Sequence, residues 1–357
     1  MMLQGLARTD VILLLALGFV LSVVTNVFLL RKFKAHKRTP NPGQIRWASQ
    51  QKPAVGGISF AVALGLGMAF GWGLDSIWAP LQWTGLAAGA VLAFGVGLLD
   101  DFKHVSALRR LLVQLACAGL VVGVGLGVQC TGWAAVDGLI TVFWVVGLMN
   151  AVNMLDNMDG ITTITSIFSA LFVVLAAALH LGRLGTEAAV FLALIAGLFG
   201  FLVVNWHPSK MYMGDGGSML LGFLLATGSI AFCWNLGAIT GSFRGTDLLV
   251  ALLVMALPLT DTAVVIINRL SHGVSPATGG RDHTTHNLSY LGMADNYVAV
   301  TYSFLSMINL CWALWIAYGE PEQFVIFTAT AWGLGVFCVF FLISRYNLRR
   351  GKYTYNV

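Results

Sequence analysis

The chain has 357 residues, 58% of them hydrophobic and only 10% charged, with a formal net charge of +5 and a mean hydropathy of +0.82. A soluble globular domain carries about 25% charged residues, so a soluble fold is excluded, and so modest a positive charge does not call for nucleic acid. The bilayer, rather than one water-excluded core, organises such a chain. Five cysteines (Cys117, Cys130, Cys233, Cys311 and Cys338) sit in or beside apolar runs without a CxxC pair. That pattern gives neither a zinc site nor a disulfide framework and reads as packing.

A membrane-spanning helix needs about 20 mostly apolar residues. Eleven candidate stretches follow one another, at about 10–30, 54–72, 80–98, 111–129, 138–155, 161–180, 187–206, 216–236, 246–267, 297–318 and 323–343. The expected fold is an all-α polytopic membrane protein of about eleven transmembrane helices, forming one integral membrane domain over 1–357. The first stretch is expected to be an anchor rather than a cleavable signal, because the basic run RKFKAHKR follows it and no small-residue cleavage site does. If the segments after the first, third and later odd-numbered stretches are inside, they hold 17 of the 20 Lys and Arg residues. Only Arg8, Arg183 and Arg244 fall on the other side. The bias places the N-terminus outside and the C-terminus in the cytoplasm.

Titratable groups gather at the inner ends of these stretches. Asp100, Asp101, Asp156, Asp159 and Asp215 fall there, with His36, His104, His207, His272, His283 and His286. The first inner segment carries KPAVGGISF, where Gly56-Gly57 lets backbone approach a ligand or simply opens a turn. The second reads GLLDDFKHVSALRR. Its adjacent Asp100 and Asp101 point in different directions on a helix, and suit a cation, a base or a solvated face.

The third inner segment is NAVNMLDNMDGI at 150–161. Asn150, Asn153, Asp156 and Asp159 recur every three residues, so a helix is expected to keep them near one face. Carboxylates at a membrane boundary are costly unless something binds them, which makes this stretch a functional-site hypothesis. The fourth segment is NWHPSKMYMGDGGSMLLGF at 205–223. Asp215, between glycines before a helix, suits a hard cation such as Mg²⁺ or a turn and cap. The helix start beside it favours anions, and Lys210 is placed to meet a phosphate. The fifth carries SPATGGRDHTTHNLSYLG, where Arg281, His283 and His286 form a basic cluster suited to anions rather than zinc. Asp261, about two turns inside its stretch, is either a wall of the site or a helix–helix hydrogen-bond partner.

In this order, VGG at 55–57, LLDDFK at 98–103, NAVNMLDNMDGI, NWHPSKMYMGDGGS at 205–218, PLTDT at 258–262 and RDHTTHNL at 281–288 resemble the polyprenyl-phosphate N-acetylhexosamine-1-phosphate transferases. The resemblance covers about 31–296. Eleven helices look like the bacterial branch that transfers N-acetylglucosamine phosphate to undecaprenyl phosphate. The muramoyl-pentapeptide branch typically has ten helices and three consecutive histidines where this chain has His-Thr-Thr-His-Asn. Asn157 stands where a glycine is common in the aspartate motif.

The resemblance implies an enzyme of the bacterial cytoplasmic (inner) membrane that initiates a surface polysaccharide. It would move a sugar-1-phosphate from a UDP-N-acetylhexosamine to undecaprenyl phosphate and release UMP. It implies Mg²⁺, with Mn²⁺ as a substitute, held by Asp215, Asp101 and Asp156. Asp100, Asp101 and Asp215 are implied as catalytic, and Asn153, Asp156, Asp159, Lys210, Arg281, His283 and His286 as substrate-binding. A homodimer is admitted. The alternatives are another UDP-N-acetylhexosamine, a non-catalytic scaffold, or a transporter with an inner carboxylate gate. Transporter ion sites tend to lie near the midplane on broken helices.

Overall fold

A computed structural model describes residues 5–33, 52–103, 105–237, 243–319 and 321–355. Lys34, His36, Lys37, Arg38, Arg46 and His104, which entered the charge and histidine pattern above, lie outside the described residues. Among the described residues there are thirteen α-helices. They are α1 (Arg8–Phe33), α2 (Gly57–Gly71), α3 (Pro80–Lys103), α4 (Ala107–Gly123), α5 (Ala134–Leu155), α6 (Ile161–Leu181) and α7 (Thr186–Asn205). There follow α8 (Gly214–Ser229), prolonged by a π-turn at Ile230–Trp234, then α9 (Gly245–Val254), α10 (Ala256–Leu270), α11 (Thr284–Tyr290), α12 (Asp295–Tyr318) and α13 (Gln323–Arg349).

Every one of the eleven expected stretches contains helix. Eight described helices are long and apolar enough to cross a membrane, or nine if the bent pair α9–α10 is one span. The polytopic all-α class is therefore as expected, but α2, with 15 residues, and α4, with 17, are shorter than their apolar stretches. The stretch expected as one helix at 246–267 is broken by 80° between α9 and α10. Pro258 explains the break, because it has no N–H for the carbonyl of Val254 four residues earlier. The Ser169 hydroxyl donates to that freed carbonyl at 2.9 Å instead.

The packing puts α8 at the centre. Its span is wholly buried inside the protein, whereas α13 is 11% buried. A helix apolar all round must be covered by neighbours, and α8 packs on α2, α3, α5 and α6. A second apolar cluster, including Leu257, Val264, Leu288, Tyr302 and Phe340, lies under α11. Successive long helices run in alternating directions. The ends of α3, α5 and α7 meet the starts of α2, α6 and α8 at one end of the bundle. At the other end, Glu187 of α7 accepts the Ser76 hydroxyl and the Ile77 N–H from the α2–α3 loop.

Candidate active site

The site begins with contacts that only glycine permits. A Cβ on Gly57 would fall 2.4 Å from the Gly217 Cα, so α2 and α8 touch backbone to backbone. The preceding residues lie along 212–213: Ala54 bridges Tyr212 in parallel, and the Gly56 and Gly57 N–H groups donate to the Tyr212 and Met213 carbonyls at 3.0 and 2.9 Å. The GG motif is thus a packing joint that fixes the GDGG turn. Gly214 has φ +81°, and a Cβ there would meet Asp101 Oδ2 at 2.6 Å.

That space is where the Asp101 carboxylate sits. Asp101 ends α3, and its Oδ2 accepts the Gly216 N–H at 3.0 Å in the first turn of α8. The amide is one that a helix start leaves without a helical partner, and the local field favours negative charge. Asp100 turns the other way, as expected of neighbours on a helix. Its Oδ1 accepts the Val105 N–H at 2.6 Å, and its Oδ2 lies 3.1 Å from Arg110 Nη1. The solvated-face reading fails for both, since Asp100 is 8% and Asp101 7% exposed.

The aspartate motif is less regular than its spacing. Helix α5 stops at Leu155 with Asp156 as its C-cap, and Gly160 takes φ +76° before α6. The shared helical face expected of Asn150, Asn153, Asp156 and Asp159 is not formed. Each three-residue step falls about 60° short of a full turn, so the four would fan out even on an unbroken helix. Asn150 exchanges hydrogen bonds with Gln114 of α4, at 3.0 and 3.2 Å. Asn153 instead donates to Asp215 Oδ1 and to Ser218 Oγ, both at 2.8 Å. Asp159 lies beyond the helix, accepting the Ser209 N–H at 2.9 Å and the Ser209 hydroxyl at 2.7 Å. Lys52 Nζ and His207 Nδ1 approach it at 3.6 and 3.3 Å. Lys210 is exposed, and its backbone N–H donates to Val204.

The last inner segment is ordered by groups outside the basic cluster. Asp261 is wholly buried and accepts the Thr284 N–H at 2.7 Å. Its other oxygen meets His283 Nδ1 at 2.8 Å. Asp261 is therefore the hydrogen-bond partner that seats α11, and it uses one ring nitrogen of His283. Asp282 faces Arg269, with contacts of 2.7 and 2.8 Å. Burial would raise the Asp282 carboxyl, but the hydrogen bonds and charge of Arg269 override it and hold it below the ordinary value. Arg281 is exposed. His286 is 1% exposed, and burial first, then the charge of His283, lowers its pKa from 6.5 to about 3. The expected basic cluster is corrected accordingly: His286 is neutral at physiological pH, and it offers hydrogen bonds rather than charge. Thr285 donates to Asn157 Oδ1, which ties α11 to the aspartate motif.

Among the described residues, no three His, Cys, Asp or Glu side chains converge as a metal cage. The ligand trio Asp215, Asp101 and Asp156 is thus not preassembled among the described residues. Asp101 and Asp215 are brought to the same turn of α8.

The model of glycosyl transferase family 4 matches residues 83–233. A Bacillus subtilis protein named "Probable undecaprenyl-phosphate N-acetylglucosaminyl 1-phosphate transferase" is 27% identical over 302 residues, 82% of this chain and 77% of its own. The undecaprenyl-phosphate alpha-N-acetylglucosaminyl 1-phosphate transferase of Escherichia coli K12 is 29% identical over 314 residues, 84% of this chain and 80% of its own. The decaprenyl-phosphate N-acetylglucosaminephosphotransferase of Mycobacterium tuberculosis H37Rv is 28% identical over 263 residues, 67% and 62% of the two chains. Over residues 83–233 the chain is similar to glycosyl transferase family 4.

The family 4 match takes in Asp100, Asp101, Asn153, Asp156, Asp159, Lys210 and Asp215, and leaves Arg281, His283 and His286 outside it. Three residues that shape this candidate site carry little or no signal in the sequence. Lys52 was read only as the first letter of a glycine motif, yet its Nζ meets Ser209 Oγ at 3.0 Å and the Tyr212 ring at 5.1 Å. Arg110 was absorbed into the positive-inside count, although its place one turn into a helix after two aspartates was a signal. Arg269 carried none, since its partner Asp282 lies 13 residues away across an irregular loop.

Proposed function

We propose that this chain transfers N-acetylhexosamine-1-phosphate, N-acetylglucosamine-1-phosphate before others, from its UDP-sugar to undecaprenyl phosphate. UMP is released, as the first membrane step of cell-surface polysaccharide synthesis. One observation carries the reading: Asp101 accepts the Gly216 N–H while Asp215, the residue before, accepts the Asn153 amide. Two carboxylates from α3 and α8 share one helix start, inside the stretch that matches glycosyl transferase family 4.

Two carboxylates facing two phosphate-bearing substrates call for a cation. Their donor set is oxygen only, which fits Mg²⁺, an ion usually held by one or two carboxylates plus substrate phosphates. The missing third side chain is then no obstacle. Asp215 and Asp101 would hold Mg²⁺, or Mn²⁺ in its place, with Asp156 as the further acid of this end. When bound, the cation neutralises charge on the diphosphate.

Asp100, set by Val105 and paired with Arg110, orients or deprotonates the lipid phosphate. A lipid phosphate oxygen attacks the sugar-proximal phosphorus. The bond from that phosphorus to the bridging oxygen breaks, and UMP leaves with the oxygen. Positioning and charge neutralisation dominate such transfers, so direct attack needs no covalent aspartyl stage. Asp156 and Asp159 hold the nucleotide end, with Asn153 acting through Asp215. Lys210, Arg281, His283 and a neutral His286 hold phosphates or sugar.

The chain forms one membrane domain in the bacterial cytoplasmic membrane, with this site on cytoplasmic loops. It has eleven membrane segments, counting α2, α4 and the bent α9–α10, with the N-terminus outside and the C-terminus inside. The bend does not favour a transporter, because the carbonyl it frees is bonded to Ser169.

The test is purified protein with undecaprenyl phosphate, Mg²⁺ and a panel of UDP-sugars, scored for UMP and lipid-linked product. UMP and product with UDP-N-acetylglucosamine are expected. Neither appearing with any UDP-sugar contradicts the reading.

A further inference from the structure

After α13 the chain turns back on itself. Gly351 takes φ +68°, and the Lys352 N–H donates to the Asn347 carbonyl at 3.1 Å. The next residues, Tyr353-Thr354-Tyr355, reach the segment between α10 and α11. The Tyr355 hydroxyl donates to Asp282 Oδ2 at 3.0 Å, and its ring meets that of His272 at 5.1 Å. Tyr353 stacks on Tyr290, with centroids 5.9 Å apart and planes at 24°. Its hydroxyl meets Ser344 Oγ at 2.8 Å.

These contacts fall on both holds of one residue. The carbonyl of Arg281 accepts the Tyr290 hydroxyl at 3.2 Å. The following residue, Asp282, is held by Arg269. Tyr353 touches the first hold and Tyr355 the second, and the two tyrosine rings touch each other at 5.7 Å. Arg281 lies at the end of an irregular segment that follows Leu270, and its side chain is exposed. A single hold would leave its backbone free to pivot. Fixing a long side chain's base before a ligand arrives lowers the ordering cost of binding.

We propose that Tyr353 and Tyr355 are positioning residues of the nucleotide-sugar site, clamping the Arg281 carbonyl and the residue that follows it so that the Arg281 guanidinium is presented to the sugar diphosphate. The proposal rests on the transferase reading above. The clamp acts on Arg281 and leaves the carboxylate joint of α3 and α8 untouched, so it bears on binding rather than turnover.

The test compares the full chain with one ending at Lys352, each with Arg281 and with Arg281→Ala. Calorimetry gives the Kd for UDP-N-acetylglucosamine, UMP release gives kcat, and hydrogen exchange reports on 276–286 and on 97–103. Shortening is expected to weaken binding by about tenfold, at the scale of losing pre-organisation at one anchor, with kcat held within about twofold. Exchange should quicken at 276–286 and not at 97–103. In the Arg281→Ala background shortening should add no further loss, because residues acting as one unit are not additive. The single change Tyr355→Phe should weaken binding by about fivefold, one hydrogen bond's worth.

Unchanged exchange at 276–286, additive losses, or faster exchange at 97–103 as well would each overturn the proposal. The last would make the tail a general prop of the fold. If the full chain releases no UMP with any UDP-sugar, the transferase reading fails, and the exchange comparison alone still decides whether the tail holds the loop.

Discussion

The side-chain amide of Asn153 donates to Asp215 Oδ1 at 2.8 Å, joining the end of α5 to the start of α8. The bond aims the carboxylate, and it uses the amide that sequence reading had assigned to the nucleotide. Asp215→Asn keeps the shape and removes the charge. Activity is expected to fall by at least about a hundredfold, as for loss of a main electrostatic stabiliser. Asn153→Ala should cost less and be partly rescued by raised Mg²⁺. UMP release across a Mg²⁺ titration checks both, and an Asp215→Asn enzyme near the wild-type rate removes Asp215 from the site.

The glycine joint gives a paired prediction on α2. Gly57→Ala would drive a Cβ against the Gly217 backbone, which cannot give way as a flexible side chain does. Thermal stability in detergent and activity should both fall. Gly65→Ala, on the same helix with nothing within 4 Å, should be neutral or stabilise by up to about 1 kcal/mol through helix propensity. Equal effects of the two changes would refute the close approach.

His286 supplies a pH dependence with a definite sign. Its folded pKa, about 3, lies below the ordinary 6.5, so the unfolded state takes the proton first as pH falls. Stability linked to this residue is complete above about pH 6.5 and is lost progressively toward pH 3. His286→Gln cannot titrate, so its melting temperature should decline less steeply than that of wild type between pH 6.5 and pH 5. Parallel declines would show that His286 is not held neutral.

The motifs were legible because their physics is local. Glycines at 56, 57, 214, 216 and 217 announce close backbone, and carboxylates at helix ends in an apolar chain announce a candidate site. What was not legible depended on partners distant in sequence. The end of α5 at Leu155 scatters a pattern that looks regular in letters. Asn150 is taken by Gln114, a residue inside an apolar run. The α9–α10 bend was signalled by Pro258, yet its angle depends on Ser169 accepting the role of the missing N–H. Asp261 could be a wall or a strut from sequence; only the positions of His283 and Thr284 decide for the strut.

The division of labour between the two ends of the site offers the most direct test of the transferase account. Asp100 sits with Arg110 and Val105 at the α3–α4 turn. Asp156 caps α5, next to the residues that meet Asp215 and Ser209. The measurement is calorimetry of UDP-N-acetylglucosamine binding to wild type, Asp100→Asn and Asp156→Asn in detergent with Mg²⁺, beside UMP release. Wild type should bind and release UMP without any membrane gradient. Asp100→Asn should lose turnover yet bind within about tenfold of wild type, a difference of roughly 1.4 kcal/mol or less. Asp156→Asn should lose binding and turnover together. A wild-type protein that binds no UDP-sugar and releases no UMP, but moves a solute across vesicles, would contradict the account.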